Sequence, residues 1–170
     1  MLRCAGVCGR FPLNRIPDKD IQKRLSNTVM ECYSTGIKHI ITGISGEFEQ
    51  MAVRLVSGFK AVMPDMRLTV VMTPREYSGY NRYLSGNGSK RDVWKYLEIA
   101  DDLQPVMQSS RLTDYTQKNR YIVDRSELLI CCYRPLSIRE AETRHLISLA
   151  KNNPGLEIIN LYEPLQNDRL

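Results

Sequence analysis

Strand-like and helix-like patterns alternate along this chain, and the alternation limits the folds that it can adopt. Residues 67–73, Arg-Leu-Thr-Val-Val-Met-Thr, form an almost continuous apolar run, as expected for a strand covered on both faces. Between strands the apolar residues recur at helical spacing, as at Ile21, Leu25 and Val29. We predict strands over 3–8, 38–42, 67–73, 103–107, 127–133 and 157–162, and helices from 18 to Gly36, from 47, from about 89, over 114–125 and over 137–152. This order favours an α/β fold, a three-layer sandwich with a mainly parallel central sheet, formed by residues 1–170 as a single domain.

One segment fits neither pattern. Residues 74–90 contain Gly79, Gly86, Gly88 and three tyrosines, without a helical or strand period. A connection of this length is long for a compact domain. We therefore expect a mobile lid or a disordered loop here.

Composition indicates a globular protein and excludes several classes. The chain is 42% hydrophobic and 25% charged, and its net charge of +5 mildly favours anionic partners. No stretch approaches the roughly 20 apolar residues that span a bilayer, and no signal peptide is evident, so we expect a cytoplasmic location. Five cysteines without Cys-x2-Cys spacing, and only two histidines, favour neither a disulfide framework nor a metal site.

The clearest candidate site is the corner after the second strand. A β-branched strand ends at Thr42 and turns through Gly43, Ser45 and Gly46 into a helix that starts near Glu47. Such a corner presents backbone N–H groups and the positive end of a helix dipole, which suit an anion. The plain alternative is a tight strand–helix turn without a ligand.

Other candidate ligand groups follow the remaining strands. In a Rossmann-like sheet, ligands gather at the carboxyl ends of the strands, where the strand order reverses. Arg10 follows the first strand and is suited to a bidentate phosphate contact. Surface arginines in water are equally common, so Arg10 also has a structural interpretation.

Two runs of residues resemble a known family. The first is Thr42-Gly43-Ile44-Ser45, followed by Phe48-Glu49 and Ala52. The second is Lys118-Asn119-Arg120-Tyr121-Ile122-Val123-Asp124-Arg125-Ser126, which leads into an apolar strand. Together they resemble the YpsA-like family, a branch of the SLOG superfamily named for the Smf/DprA and LOG proteins. The resemblance extends over nearly the whole chain.

The resemblance implies a Rossmann-like fold with a pocket for a nucleotide or nucleotide-derived ligand. Members of the family are thought to be ligand sensors or regulators, and the YpsA branch is linked to bacterial cell division and to phage. A protein partner or a homodimer is also in keeping with such domains. The positions that carry over are Thr42, Gly43, Glu49, Asn119, Asp124, Ser126, Thr143 and Ala150.

The chain departs from the family pattern at three turns. Gly46 stands one position early for the second glycine of the corner, and Glu47 stands in its place. Cys8-Gly9-Arg10 stands where Gly-His-Arg is usual, and Ala141-Glu142-Thr143 stands where a Gly-Gly-Thr phosphate loop is usual. Side chains in place of two glycines restrict positive φ and close backbone approach to a phosphate. The corner from Thr42 to Gly46 is then the surviving half of a ligand site.

Three functions stay open at this point. The first, which we favour, is a non-enzymatic regulatory or sensor domain that binds a nucleotide-like ligand. The second is a nucleotide N-glycoside hydrolase with Glu49 and Asp124 as its carboxylate pair. The third is a DprA-like single-stranded DNA binder, suggested by the basic balance and the tyrosines of 74–90. Each candidate also has a structural role to weigh, since Glu49 suits a helix first turn and Asn119 and Asp124 can bond to nearby backbone.

Overall fold

The central element is a six-stranded parallel sheet. The computed structural model describes residues 3–9, 18–88, 91–107, 113–133 and 141–162. Within them the strands run in the order β4-β3-β2-β1-β5-β6, each parallel to its neighbours. The strands are β1 Cys4–Gly9, β2 His39–Thr42, β3 Arg67–Met72, β4 Asp102–Pro105, β5 Leu128–Cys132 and β6 Glu157–Asn160. The predicted α/β class is confirmed.

Helices cover both faces of this sheet, which completes three layers. They are α1 Asp18–Ser34, α2 Glu47–Lys60, α3 Pro74–Leu84, α4 Trp94–Leu97, α5 Asp114–Arg125 and α6 Ala141–Lys151. One core contains side chains of α1 to α4 against one sheet face, and a second contains those of α5 and α6 against the other. No helix within the described ranges is both long and apolar enough to cross a membrane.

The prediction of a structureless segment over 74–90 is wrong for residues 74–84, and residues 89 and 90 lie outside the described ranges. Residues Pro74–Leu84 form α3, because Thr73 caps the helix, Pro74 stands in its first turn and Glu76 returns a bond to the Thr73 backbone. Tyr80 and Tyr83 lie against Trp94 of α4, with ring centroids 6.2 and 5.4 Å away. The tyrosines are therefore packing residues of a helix.

Smaller differences concern the ends of elements. Of the helix expected from about 89, residues 89 and 90 lie outside the described ranges, and the described residues from 91 on are helical over Trp94–Leu97. The strand expected over 103–107 is Asp102–Pro105. The helix expected over 137–152 is described over Ala141–Lys151, and residues 137–140 lie outside the described ranges.

The strand order creates one crevice at the carboxyl edge. From β1 the chain builds outward through β2, β3 and β4, and β5 then pairs with the opposite side of β1. The crevice outside β1 and β5 is the point at which sheets of this class bind ligands. Gly9 ends β1 there with φ of +144°, and a Cβ on it would stand 2.6 Å from the Cys132 carbonyl oxygen. A residue with a side chain is thereby excluded at this end of β1.

Candidate functional site

The corner between β2 and α2 is already occupied by a carboxylate of the chain. The backbone N–H groups of Ser45 and Gly46 donate to Oε2 of Glu49 over 2.7 and 3.2 Å. Glu49 lies in the first turn of α2 and is only 7% exposed. The amides expected to hold an anion therefore hold the acid of their own helix.

A buried lysine faces this carboxylate. Lys118 of α5 is 1% exposed, and its Nζ lies 3.7 Å from Oε2 of Glu49. The same ammonium donates to Oγ of Ser45 over 2.6 Å. Burial by itself lowers the pKa of Lys118, but the nearby acids, Glu49 foremost, raise it above the usual value. Lys118 is therefore a charged ammonium at neutral pH.

A second acid completes the group. Oγ of Ser45 donates to Oε1 of Glu76 over 2.8 Å, and the Thr73 N–H donates to Oε2 of Glu76 over 2.8 Å. We call Glu49, Lys118, Ser45 and Glu76 the acid–lysine cluster. It joins α2, α3 and α5 at the carboxyl edge of the sheet.

Sequence reasoning missed Lys118 and Glu76, although each left a signal. Lys118 stands one turn before Ile122, on the apolar face of α5, where a lysine needs a charged partner. Thr73 and Glu76 have the spacing of a capping box before a helix. The expectation of a loop over 74–90 concealed the second signal.

Below the cluster, Thr42 and Gly43 have structural partners. Oγ1 of Thr42 is fully buried and donates to the Val7 carbonyl over 3.0 Å, across β1 and β2. A Cβ on Gly43 would stand 2.6 Å from Oε2 of Glu49 and 2.9 Å from Nζ of Lys118. The glycine thus leaves the space that the ion pair occupies.

Beside the cluster, the crevice narrows to a small cavity of about 10 Å³. Its walls come from the end of β1, the start of α2, and α5 and α6: Cys8, Gly9, Gly46, Glu49, Asn119, Glu142, Thr143 and Leu146. A cavity of that size holds about one water molecule. Within the described part of the chain, no group bonds to the second carboxylate oxygen of Glu49, Oε1.

Asn119 connects this wall to α6. Its Nδ2 lies 3.2 Å from the carbonyl oxygen of Glu142, to which it donates, and 3.0 Å from Nδ1 of His145. Asn119 is 3% exposed and Thr143 is 5% exposed. Asn119 therefore links α5 to α6 at the crevice.

The structure brings most of the predicted site residues together. Gly46, Glu49, Asn119 and Thr143 line the same cavity, and Thr42, Gly43 and Ser45 lie directly beside it. Asp124 is exposed near the end of α5, in a groove with Cys4 and His39, which begin β1 and β2. It therefore lies at the opposite edge of the sheet. Arg10 lies outside the described residues.

Comparisons with known proteins add no family to this description. No protein-family model matches the chain, and no curated protein matches it. Among the residues described, no group of three or more His, Cys, Asp or Glu side chains is placed to hold a metal ion. The residues and geometry of the crevice are then the basis for a functional proposal.

Proposed function

We propose that this chain is a YpsA-like SLOG domain, a non-enzymatic regulator or sensor that binds a nucleotide-like ligand at the carboxyl ends of its strands. The observation that carries the proposal is the position of Glu49 at the crevice between β1 and β5. This carboxylate is almost fully buried, with one oxygen held by amides and the other without a partner among the described residues. Such a group is prepared to accept a hydrogen bond.

The chemistry of that oxygen indicates which part of a ligand it contacts. A carboxylate accepts hydrogen bonds from hydroxyl and amino groups and repels a phosphate. The ligand therefore lies across the mouth of the cavity with a ribose hydroxyl or a base amino group toward Glu49. Arg10 follows Gly9 in the sequence and is the positive group that we assign to the phosphate end.

The setting of the proposal comes from the resemblance and from the thiols. We place the domain in the cytoplasm of a bacterium or in a phage-infected cell, where five cysteines without a disulfide are ordinary. Its signal passes to a protein partner or to a second copy of the chain. Ligand occupancy at the crevice would change α6, which Asn119 connects to the site.

Calorimetry and thermal unfolding with a panel of AMP, ADP, ADP-ribose and NAD test the proposal. At 100 times its Kd, a ligand adds about 2.7 kcal/mol, which raises the Tm of a domain of this size by about 5–10 °C. Glu49→Gln should abolish the response. The matched control is Glu47→Gln, which removes the same charge from the same helical turn at an exposed position. If the wild-type protein gives neither a binding heat nor a Tm shift with any compound of the panel, the proposal is refuted.

The two other functions give different results in the same preparation. A hydrolase releases free base from a nucleoside monophosphate and loses that activity in Glu49→Gln. A single-strand binder retains a labelled oligonucleotide at low salt and loses it as salt rises. The packing of Tyr80 and Tyr83 against Trp94 removes the loop of exposed tyrosines that, with the basic balance, suggested single-stranded DNA binding.

A further inference from the structure

The amino edge of the sheet contains a thiol–imidazole pair that the proposed function does not use. Sγ of Cys4, at the start of β1, lies 3.4 Å from Nδ1 of His39, at the start of β2. The other ring nitrogen, Nε2, lies 2.8 Å from Oγ1 of Thr69 on β3. Three neighbouring strands therefore align a thiol, an imidazole and a hydroxyl in one row.

Cys4 is set apart from the other cysteines by its exposure. Cys8, Cys32, Cys131 and Cys132 are each buried, with at most 4% of their surface exposed. Cys4 is only partly buried and lines a groove of about 340 Å³ together with His39. A reagent in solution can therefore reach this thiol in the folded protein.

Charged side chains beside the pair indicate what the groove accepts. Arg3 and Glu127 neutralise each other through a 2.6 Å ion pair. Asp124 and Arg125 line the same groove, and no ion pair involves either of them within the described ranges. The Arg125 guanidinium lies over the Tyr121 ring, with Cζ 3.8 Å from the ring centroid. An exposed carboxylate next to an exposed guanidinium complements a molecule that carries both an ammonium and a carboxylate group.

We propose that Cys4 and His39 form a thiol–disulfide exchange site for a small zwitterionic disulfide derived from an amino acid, with Asp124 and Arg125 binding its charged groups. The site lies at the edge of the sheet opposite the crevice, so it is independent of the proposed ligand function. Thr69 is a positioning residue, because it contacts only the far nitrogen of His39.

In the resting protein the thiol is protonated and the imidazole is neutral, so attack by the sulfur requires proton transfer to His39. Burial and then the Glu127 carboxylate raise the pKa of Cys4, so its sulfur keeps a proton at neutral pH. Burial and then Arg67 lower the pKa of His39, against the opposing effects of Asp101 and Asp102. A neutral imidazole accepts the S–H bond at Nδ1, and its Nε2–H then donates to Thr69.

The exchange balances within these groups. The Cys4 proton moves to Nδ1 of His39 as Sγ attacks one sulfur of the disulfide. The S–S bond of the reagent breaks, and the leaving thiolate takes the proton back from Nδ1. The products are a mixed disulfide on Cys4 and one free small thiol.

Intact-mass measurement of the reduced full chain with cystine tests this site, with 2-hydroxyethyl disulfide as the uncharged comparison. We expect one adduct per native chain, its loss in Cys4→Ser and its retention in Cys32→Ser. His39→Gln leaves an amide within reach of Thr69 but removes the base. It should lower the rate constants for cystine and for 2-hydroxyethyl disulfide at least tenfold. Thr69→Val should slow the reaction and Thr69→Ser should restore it.

The charged groups are tested separately. The double variant Asp124→Asn with Arg125→Gln should react with cystine several-fold more slowly, while its rate with the uncharged disulfide stays within about twofold. General structural damage would instead slow both reactions. An adduct that persists in Cys4→Ser, or an unchanged rate in His39→Gln, overturns the site. If the double variant reacts more slowly with both disulfides by the same factor, the assignment of Asp124 and Arg125 to a zwitterionic reagent is overturned. Circular dichroism and a count of protected thiols verify that each variant is folded.

Discussion

At the scale of single residues, Gly43 has little freedom to change. The methyl group of Gly43→Ala would meet Oε2 of Glu49 and Nζ of Lys118 inside 3.0 Å. Both groups are almost fully buried and bonded, so neither can move aside without breaking the acid–lysine cluster. We expect a loss of about 1–3 kcal/mol in the free energy of unfolding, the usual cost of overpacking.

Urea unfolding measures this loss, and Gly58→Ala is the matched control. Gly58 lies exposed in α2, and a Cβ added to it would meet nothing within 4 Å. Alanine there should stabilise the helix by up to about 1 kcal/mol. Equal effects at the two positions would contradict the packing account of Gly43.

At the scale of elements, the start of α3 is tied to the functional edge. The Thr73 hydroxyl accepts from the Glu76 N–H over 3.3 Å and donates to Oε2 of Glu76 over 3.0 Å. Thr73→Ala should cost about 1–2 kcal/mol, because it removes a helix cap and loosens an acid of the cluster. Thr113 caps α5 in the same manner at an exposed position, so Thr113→Ala should cost less, about 0.5–1 kcal/mol. Denaturant unfolding compares the two, and equal losses would mean that the cluster adds nothing to the cap.

The same element shows where sequence reasoning failed. Glycines and tyrosines over 74–90 concealed a helix whose start is fixed by Thr73, Pro74 and Glu76, and whose apolar partner is Trp94. That partner belongs to the next helix, outside the segment, so the local periodicity of 74–90 could not reveal it. By contrast the prediction of a helix over 114–125 is confirmed by α5, because its cap and buried face are local.

At the scale of the whole molecule, the sheet could be predicted but the charge pairing at its edge could not. Alternating patterns are enough to indicate parallel strands, and parallel strands place Thr42, Glu49, Asn119 and Thr143 near one crevice. Which cation meets Glu49 depends on how α5 crosses the sheet. No local sequence pattern encodes that crossing. The crossing of α5 also places Asp124 at the amino edge of the sheet, away from the crevice.

Buried thiols should make the whole fold sensitive to alkali. Burial, and then Glu31, raise the pKa of Cys32 to about 11, against about 8.5 for an unfolded cysteine. The unfolded chain therefore loses this proton first, so stability is complete below about pH 8.5 and falls as pH rises toward 11. Cys8 has a raised pKa for the same main reason and adds to the loss.

Urea unfolding between pH 7 and 10 measures this dependence. Cys32 alone should account for a loss of about 2 kcal/mol by pH 10, and Cys32→Ala should flatten the profile by that amount. Val29→Ala, in the same helix and equally buried, should lower stability by a constant amount at every pH. A Cys32→Ala profile parallel to that of the wild type would contradict the assignment.

The Glu49 carboxylate in the Ser45–Gly46 turn also competes with any free anion for the two backbone amides. Glu49 is attached three and four residues from the amides that it occupies, so its effective concentration there is at least in the millimolar range and does not fall on dilution. A free inorganic anion has to displace the Glu49 carboxylate from the amides and also separate it from Lys118. Negative charge alone is therefore not enough for a ligand to bind at this corner. The corner favours ligands that form a hydrogen bond with Glu49 and leave it in place.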